Sequence, residues 1–242
     1  MYTSKFFGNP PYQLLILDGG PGAYVEVAPI AEELSNNKGV IEPRLLTFSI
    51  EDKLNELYQI IASTTKKPVI LIGFSWGAWL AFLFTGRYPD LISKLILISS
   101  PPFEGEYEND IIQTRLDRLR AEDKKHVLQI IETIKDTSSA QRINEFTKLL
   151  SYFYKTDTYH PNRDLRQLKN SIQFDHSQYF SLWHQANEMR KNGTMLLQGS
   201  MIQSPVIVIH GDYDPHPFNG VKIPLQHILG TVDFILLKRC GH

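Results

Sequence analysis

The chain is predicted to be an α/β protein with a mostly parallel sheet of about six strands. Three observations predict it. Short apolar runs alternate with helical patterns over residues 11–100 and again after residue 204. A glycine-flanked serine, Ser75, sits between one such run and the next helix. Between these blocks, residues 101–203 lose strand-like runs and carry amphipathic helices instead. Strands alternating with helices predict a sheet covered on both faces. The expected division is a core of residues 1–100 and 204–242, with a helical cap, 101–203, inserted in it.

The first strand is expected over residues 13–17, ending at Asp18-Gly19-Gly20-Pro21-Gly22. A second, shorter one is expected over 44–48. Residues 50–62 read as a helix with Leu54, Leu57, Tyr58 and Ile61 on one face. A third strand covers 69–73, followed by a helix to about Tyr88, stopped by Pro89. The fourth covers 94–99. In the central stretch Ile112, Leu116 and Leu119 share one face, and Val127, Ile130, Ile131 and Ile134 another. Ser138-Ser139-Ala140-Gln141 resembles a capping box for a helix with Ile143, Phe146, Leu150 and Phe153 inward. Ser177 is a candidate cap for a helix carrying Phe180, Trp183 and Met189. Strands five and six are expected over 205–210 and 233–237.

Composition narrows the function. Hydrophobic residues make up 42% and charged residues 21% of 242, a globular balance rather than a disordered one. A net charge of −1 gives no basic footprint for nucleic acid. The single cysteine, Cys240, excludes an intrachain disulfide and suits a reducing cytosol. The first residues lack the apolar core of a signal peptide, and no stretch reaches the length of a membrane span. A cytoplasmic protein acting on a small molecule is the expectation.

Gly73-Phe74-Ser75-Trp76-Gly77 follows an apolar run and precedes a helical one. That is the setting of a nucleophile elbow, whose sharp turn needs glycine on both sides of the serine. A serine hydroxyl needs a base, and the base needs an orienting acid. His242, after the last strand, is the candidate base. Asp214 and Asp212, in one turn after the fifth strand, are the candidate acids; either could equally be a turn carboxylate. Acyl transfer also needs two donors for the oxyanion. The N–H of Trp76 and one from the glycine loop, Gly20, are the candidates. Each part follows a predicted strand, and such strand ends converge on one crevice. His184, His210 and His216 read as rim or packing residues, and Cys240 as a small buried one. Trp79 reads as core, and Trp76 as lining an acyl pocket. No spacing matches a metal site.

With these motifs the sequence resembles the α/β-hydrolase fold, and within it the branch of proline iminopeptidases and small esterases. Asp18–Gly22 stands against the family's His-Gly-Gly-Pro-Gly; the elbow, Arg87-Tyr88-Pro89-Asp90, Gly211 to Asp214 and Gly241-His242 also fit. The resemblance implies a catalytic Ser75–Asp214–His242 triad, an oxyanion hole from Gly20 and Trp76, a helical cap and no cofactor. It selects Asp214 over Asp212.

Four departures accompany it. Asp18 replaces a histidine, where it is expected to hold loop N–H groups. The first two family strands are expected to be missing. The usual loop after Phe48 gives way almost directly to a helix, implying a more open pocket. The sequence stops at His242, where the family continues into a further helix; a truncated or longer chain is the expected explanation. The function expected is cleavage of a small-molecule ester, thioester or amide through an acyl-enzyme. The alternatives are a proline iminopeptidase-like aminopeptidase, using the acidic run Glu104, Glu106, Glu108 and Asp110 for a substrate amine, and a non-catalytic ligand-binding protein on the same fold.

Overall fold

The computed structural model describes residues 4–24, 27–136, 139–160 and 173–242. Its strands are β1 Lys5–Phe7, β2 Tyr12–Leu17, β3 Ala23–Tyr24, β4 Gly39–Glu42, β5 Val69–Phe74, β6 Ile92–Ile98, β7 Gln173–Phe174, β8 Val206–Gly211 and β9 Val232–Leu237. Seven of them form one sheet in the order β1-β4-β2-β5-β6-β8-β9. Only β1 runs antiparallel, against β4; the remaining pairs are parallel. The sheet therefore has one strand more than the six expected. β3 and β7 form a separate antiparallel pair.

The helices are α1 Ala28–Leu34, α2 Ile50–Thr64, α3 Trp76–Arg87, α4 Glu108–Asp117, α5 Ala121–Asp136, α6 Ser139–Asp157, α7 His176–Lys191, α8 Thr194–Gly199 and α9 Asn219–Ile228. Strand periodicity divides the core. Leu15, Leu71, Leu95 and Val208 pack on one face with α2, α3 and α9. Leu14, Ile16, Val40 and Ile72 point the other way, onto Val27 and Ala31 beside and in α1. Helix α3 is buried all along Trp76–Gly86, as an apolar sequence without a polar face requires.

The expected strand over 44–48 does not form. The neighbouring run Gly39–Glu42 takes the sheet position instead, and Pro43 follows it without an N–H to offer. The N–H groups of Leu46 and Thr47 donate to the buried Glu56 carboxylate of α2, at 3.0 and 3.4 Å, and the Thr47 hydroxyl joins them at 3.1 Å. A side-chain acceptor has replaced a ladder. Ser49 caps α2 by accepting the Asp52 N–H, so the chain passes straight from this loop into the helix.

Helices α4, α5 and α6 hold a cluster of their own around Leu116, Val127, Ile130 and Leu149. Helices α7 and α8 instead join the main core through Leu182, Ala186 and Met195. Trp183 stacks on Trp79 of α3 at 5.4 Å. Helix α8 lies so close to α3 that a Cβ on Gly86 would meet the Gln198 carbonyl at 2.2 Å. The cap of α7 is Asp175, not Ser177: its carboxylate accepts the N–H groups of Ser177 and Gln178. Ser138 of the expected capping box lies outside the described residues. Among the described side chains of α6, Phe146 and Leu149 are the buried hydrophobic positions, while Ile143, Leu150 and Phe153 are partly buried.

Glu56→Ala should lower unfolding free energy by about 1–2 kcal/mol, since the loop donors lose a charged acceptor. A urea midpoint that falls at unchanged slope would register it.

Candidate active site

Ser75 sits at the turn between β5 and α3 with φ 51° and ψ −123°, a left-handed backbone that L-residues adopt at a cost. The turn holds because its neighbours are glycine. A Cβ on Gly73 would meet the Gly77 carbonyl at 2.3 Å, and one on Gly77 the Asp18 carbonyl at 2.4 Å. The Ser75 N–H donates to the Ile98 carbonyl at 2.9 Å, tying the turn to β6.

The structure brings Ser75, His242 and Asp214 together. His242 Nε2 lies 2.9 Å from Ser75 Oγ. Its Nδ1 lies 2.8 Å from Asp214 Oδ2. A carboxylate only accepts, so Nδ1 carries the proton and Nε2 is left to accept from the serine hydroxyl. Asp212 is elsewhere in the turn, accepting the Cys240 N–H at 3.4 Å. Cys240 is half-buried rather than buried.

The helical stretch reaches the base from below. The His242 N–H donates to the Asp157 carbonyl at the end of α6, at 2.9 Å. Arg115 of α4 grips the Asp157 carboxylate with contacts of 2.6–3.0 Å. Arg118 donates to the carbonyls of Thr156 and Tyr213. Nothing in the sequence marked these residues, because their partners are distant along the chain.

Asp214 is fully buried at its side chain. Burial raises a carboxyl pKa, but here the facing His242 charge and the N–H donors of His216 and His242 outweigh it, and Asp214 lies well below its usual range. Burial pushes His242 down; the Asp214 charge and hydrogen bond overcome this and leave it above its ordinary value. His216 is pushed down to about 4, with burial as the main cause. His216 Nδ1 lies 2.7 Å from Asp214 Oδ1, so a residue read from sequence as packing touches the candidate acid.

Asp214, His216 and His242 place three ligand atoms within 4.8 Å of one another. A cation there would have to displace both imidazole N–H bonds to the carboxylate, so the group as it stands is a hydrogen-bonded set rather than an ion cage.

The expected oxyanion donors are arranged differently. The Trp76 N–H donates to the Gly19 carbonyl at 2.9 Å. The position where an oxyanion would lie against Trp76 is thus filled by a backbone oxygen of the glycine loop. Asp18 accepts the Val27 N–H at 3.2 Å, the loop-holding role expected for it. Trp79 is buried and donates to the Pro101 carbonyl. Beside the loop lies a cavity of about 30 Å³ lined by Gly20, Pro21, Trp76, Leu80, Leu45 and Lys53. Lys53 is buried, donating to the Leu45 carbonyl and Gln178 Oε1. Burial lowers its pKa to about 8. Its place on the apolar side of α2 gave no sequence signal.

The family profile for the alpha/beta hydrolase fold matches residues 14–242. The chain belongs to this family. Its fold is the α/β-hydrolase fold. It is 22% identical over 217 residues to monoacylglycerol lipase ABHD6 of Homo sapiens, covering 88% of this chain and 61% of that protein. The chain thus spans about three fifths of that relative's length. Among solved structures, VinJ superposes with a TM-score of 0.72 at 16% identity, covering 99% of this chain and 87% of that one. A proline iminopeptidase of Mycobacterium smegmatis superposes at 0.69 with 18% identity, covering 99% and 87%. These likenesses concern the fold. Among the described residues no helix is long and apolar enough to cross a membrane.

The two site histidines should titrate on opposite sides of the ordinary value of 6.5. NMR titration should find His242 above it, and His216 neutral down to about pH 4. A group with a lowered folded pKa takes up its proton more readily when unfolded. His216 should therefore make stability fall as pH drops from 6.5 towards 4. Equal midpoints for the two rings would contradict this.

Proposed function

We propose that this protein is a hydrolase that cleaves a small-molecule ester, thioester or amide through an acyl-enzyme on Ser75. The observation that carries the reading is the unbroken path from Ser75 Oγ through His242 to the buried Asp214, with steps of 2.9 and 2.8 Å. Ser75 attacks the substrate carbonyl while His242 Nε2 takes its proton. Asp214 holds the Nδ1–H tautomer and stabilises the imidazolium that forms. His242 then protonates the leaving group. Water repeats the sequence on the acyl-enzyme, with His242 again as base, and the acid is released.

The tetrahedral intermediate needs its two donors. The Gly19 carbonyl and the Gly20 N–H belong to one peptide group. Turning that peptide over releases the Trp76 N–H and brings the Gly20 N–H inward in the same motion. A substrate oxyanion would compensate the lost bond with two charge-assisted ones. Neither Gly19 nor Gly20 has a left-handed φ in the present state, whereas Gly22 does, at 80°. The turn would carry Gly20 to a positive φ, a region open to glycine at little cost.

Residues 101–203 act in this reading as the cap that shapes the substrate space, with Arg115 and Arg118 bracing the acid and base turns. The chemistry requires no cofactor, and the lone cysteine accords with a cytoplasmic setting. An aminopeptidase would need a carboxylate free to meet a substrate amine. Within the acidic run, Glu108 is paired with Arg190 at 2.8 Å, and Glu106 and Asp110 are exposed.

Mass spectrometry after fluorophosphonate treatment should find one adduct, on Ser75, absent from Ser75→Ala. An unlabelled wild-type protein would rule the mechanism out and leave the ligand-binding alternative. Ser75→Ala should also reduce ester turnover by roughly 10⁴-fold or more. Gly20→Ala should slow acylation by at least about tenfold in a protein that still folds, because the positive φ opposes an alanine. Full activity in that variant would mean that the peptide does not turn.

A further inference from the structure

The Asp214 carboxylate serves two imidazoles, not one. Oδ2 accepts from His242 Nδ1 at 2.8 Å. Oδ1 accepts the backbone N–H of His216 at 2.9 Å and, at 2.7 Å, the Nδ1–H of the His216 ring. Any residue two places after the aspartate could give the backbone bond. The ring bond is an addition that the turn does not require. The His216 side chain is only 9% exposed, and its ring lies 4.7 Å from that of His242, tilted by 48°. Its own carbonyl accepts from His210 Nε2 at 2.9 Å, so the residue is held from behind by β8. Two rings thus flank one buried charge, and only one of them reaches Ser75.

We propose that His216 is a positioning residue that acts on Ser75 chemistry through Asp214, fixing the carboxylate's rotation and tempering its pull on His242. This rests on the triad reading above. A carboxylate in a dry site attracts the imidazolium beside it strongly. An N–H donor on its other oxygen draws part of that negative charge away. The base then stays neutral over more of the physiological range than a bare Asp–His pair would allow. The same bond stops the carboxyl group from rotating about its Cβ–Cγ bond. Because burial keeps His216 uncharged, it donates without adding a second positive charge beside His242.

The other ionisable groups around this cluster are accounted for. His210 on β8 lies 3.8 Å from Asp214 Oδ2, but its Nε2–H is directed to the His216 carbonyl. Burial holds its pKa down as well. Arg115 from α4 and Asp157 from α6 neutralise each other in a 2.6 Å pair. Asp212 and Cys240 are engaged with each other at the outer side of the turn. None of these groups donates to Asp214 Oδ1 in place of the His216 ring.

The test uses the rate of Ser75 labelling by a fluorophosphonate against pH, in wild type, His216→Phe and His216→Asn. Phenylalanine keeps a flat ring but removes the donor. The asparagine amide nitrogen occupies nearly the place of Nδ1 and can donate. His216→Phe should move the acid limb of the profile upward by roughly one pH unit, with slower labelling at neutral pH. His216→Asn should return the limb towards its wild-type position. A folded His216→Phe protein whose limb stays in place or moves downward would overturn the proposal and reduce His216 to packing.

The ring tautomer offers a second measurement that needs no variant. Nitrogen-15 shifts of wild-type His216 should report a neutral ring protonated at Nδ1 near pH 7. Protonation at Nε2 alone would leave Nδ1 unable to donate, and the proposal would fall even if the phenylalanine variant does not fold. The two levels separate cleanly. A wild-type protein that never labels sinks the triad reading and this inference with it. One that labels normally with an unmoved limb sinks only the role of His216.

Discussion

The site depends on one buried negative charge. Asp214 lies at zero side-chain exposure, where an isolated carboxylate would protonate rather than stay ionised. It stays charged because every direction around it offers an N–H: His242 from the last loop, and the backbone and ring of His216 from its own turn. That arrangement fixes the tautomer of His242, and the tautomer fixes which nitrogen faces Ser75. The loops bearing these groups are braced in turn by α4 and α6, through Arg115, Arg118 and Asp157. The helical stretch is therefore tied to the base and acid as well as lying over the sheet.

A second constraint works in the opposite sense. The elbow stores strain at Ser75, and its first helical N–H, at Trp76, would be an orphan donor at a helix start. The Gly19 carbonyl satisfies it in this structure. In the proposed mechanism, the bond that stabilises the resting loop is the bond that acyl chemistry must break. Two consecutive glycines make the exchange accessible, since turning a peptide group between bulkier residues would meet a steric penalty at the left-handed φ. The resting site is stable with its hole filled, and substrate is what would make the filled state less favourable than the open one.

Much of this was legible in the sequence because it is local. The elbow needs five residues, and Ser75 could be found from them alone. Strand ends that converge on one crevice bring Ser75, His242 and the turn of Asp212 and Asp214 together, and the family resemblance selects Asp214 within that turn. The element pattern gave the parallel sheet and the helical stretch. What failed was what distant partners decide. Residues 44–48 look like a strand, but Glu56 takes their donors, and Gly39–Glu42 takes their place. β1 is three residues long, too short to stand out as a run in the sequence, and is held by its pairing to β4. His216 reads as packing in any single sequence, since its ring bond exists only because the Asp-Pro-His turn folds back on its own aspartate. Lys53 and Glu56 lie on the helix face that meets the core, although their charge alone would assign them to solvent.

The most direct measurement is a crystal structure of the protein after reaction with a fluorophosphonate. The account predicts phosphorus bonded to Ser75 Oγ and His242 still held by Asp214 Oδ2. The phosphonyl oxygen should lie within hydrogen-bond distance of the Trp76 and Gly20 N–H groups, with the Gly19 carbonyl turned away. A Ser75 adduct whose oxygen points elsewhere while the Gly19 carbonyl remains on Trp76 would contradict the oxyanion account. Phosphorus on any residue other than Ser75 would contradict the central claim itself.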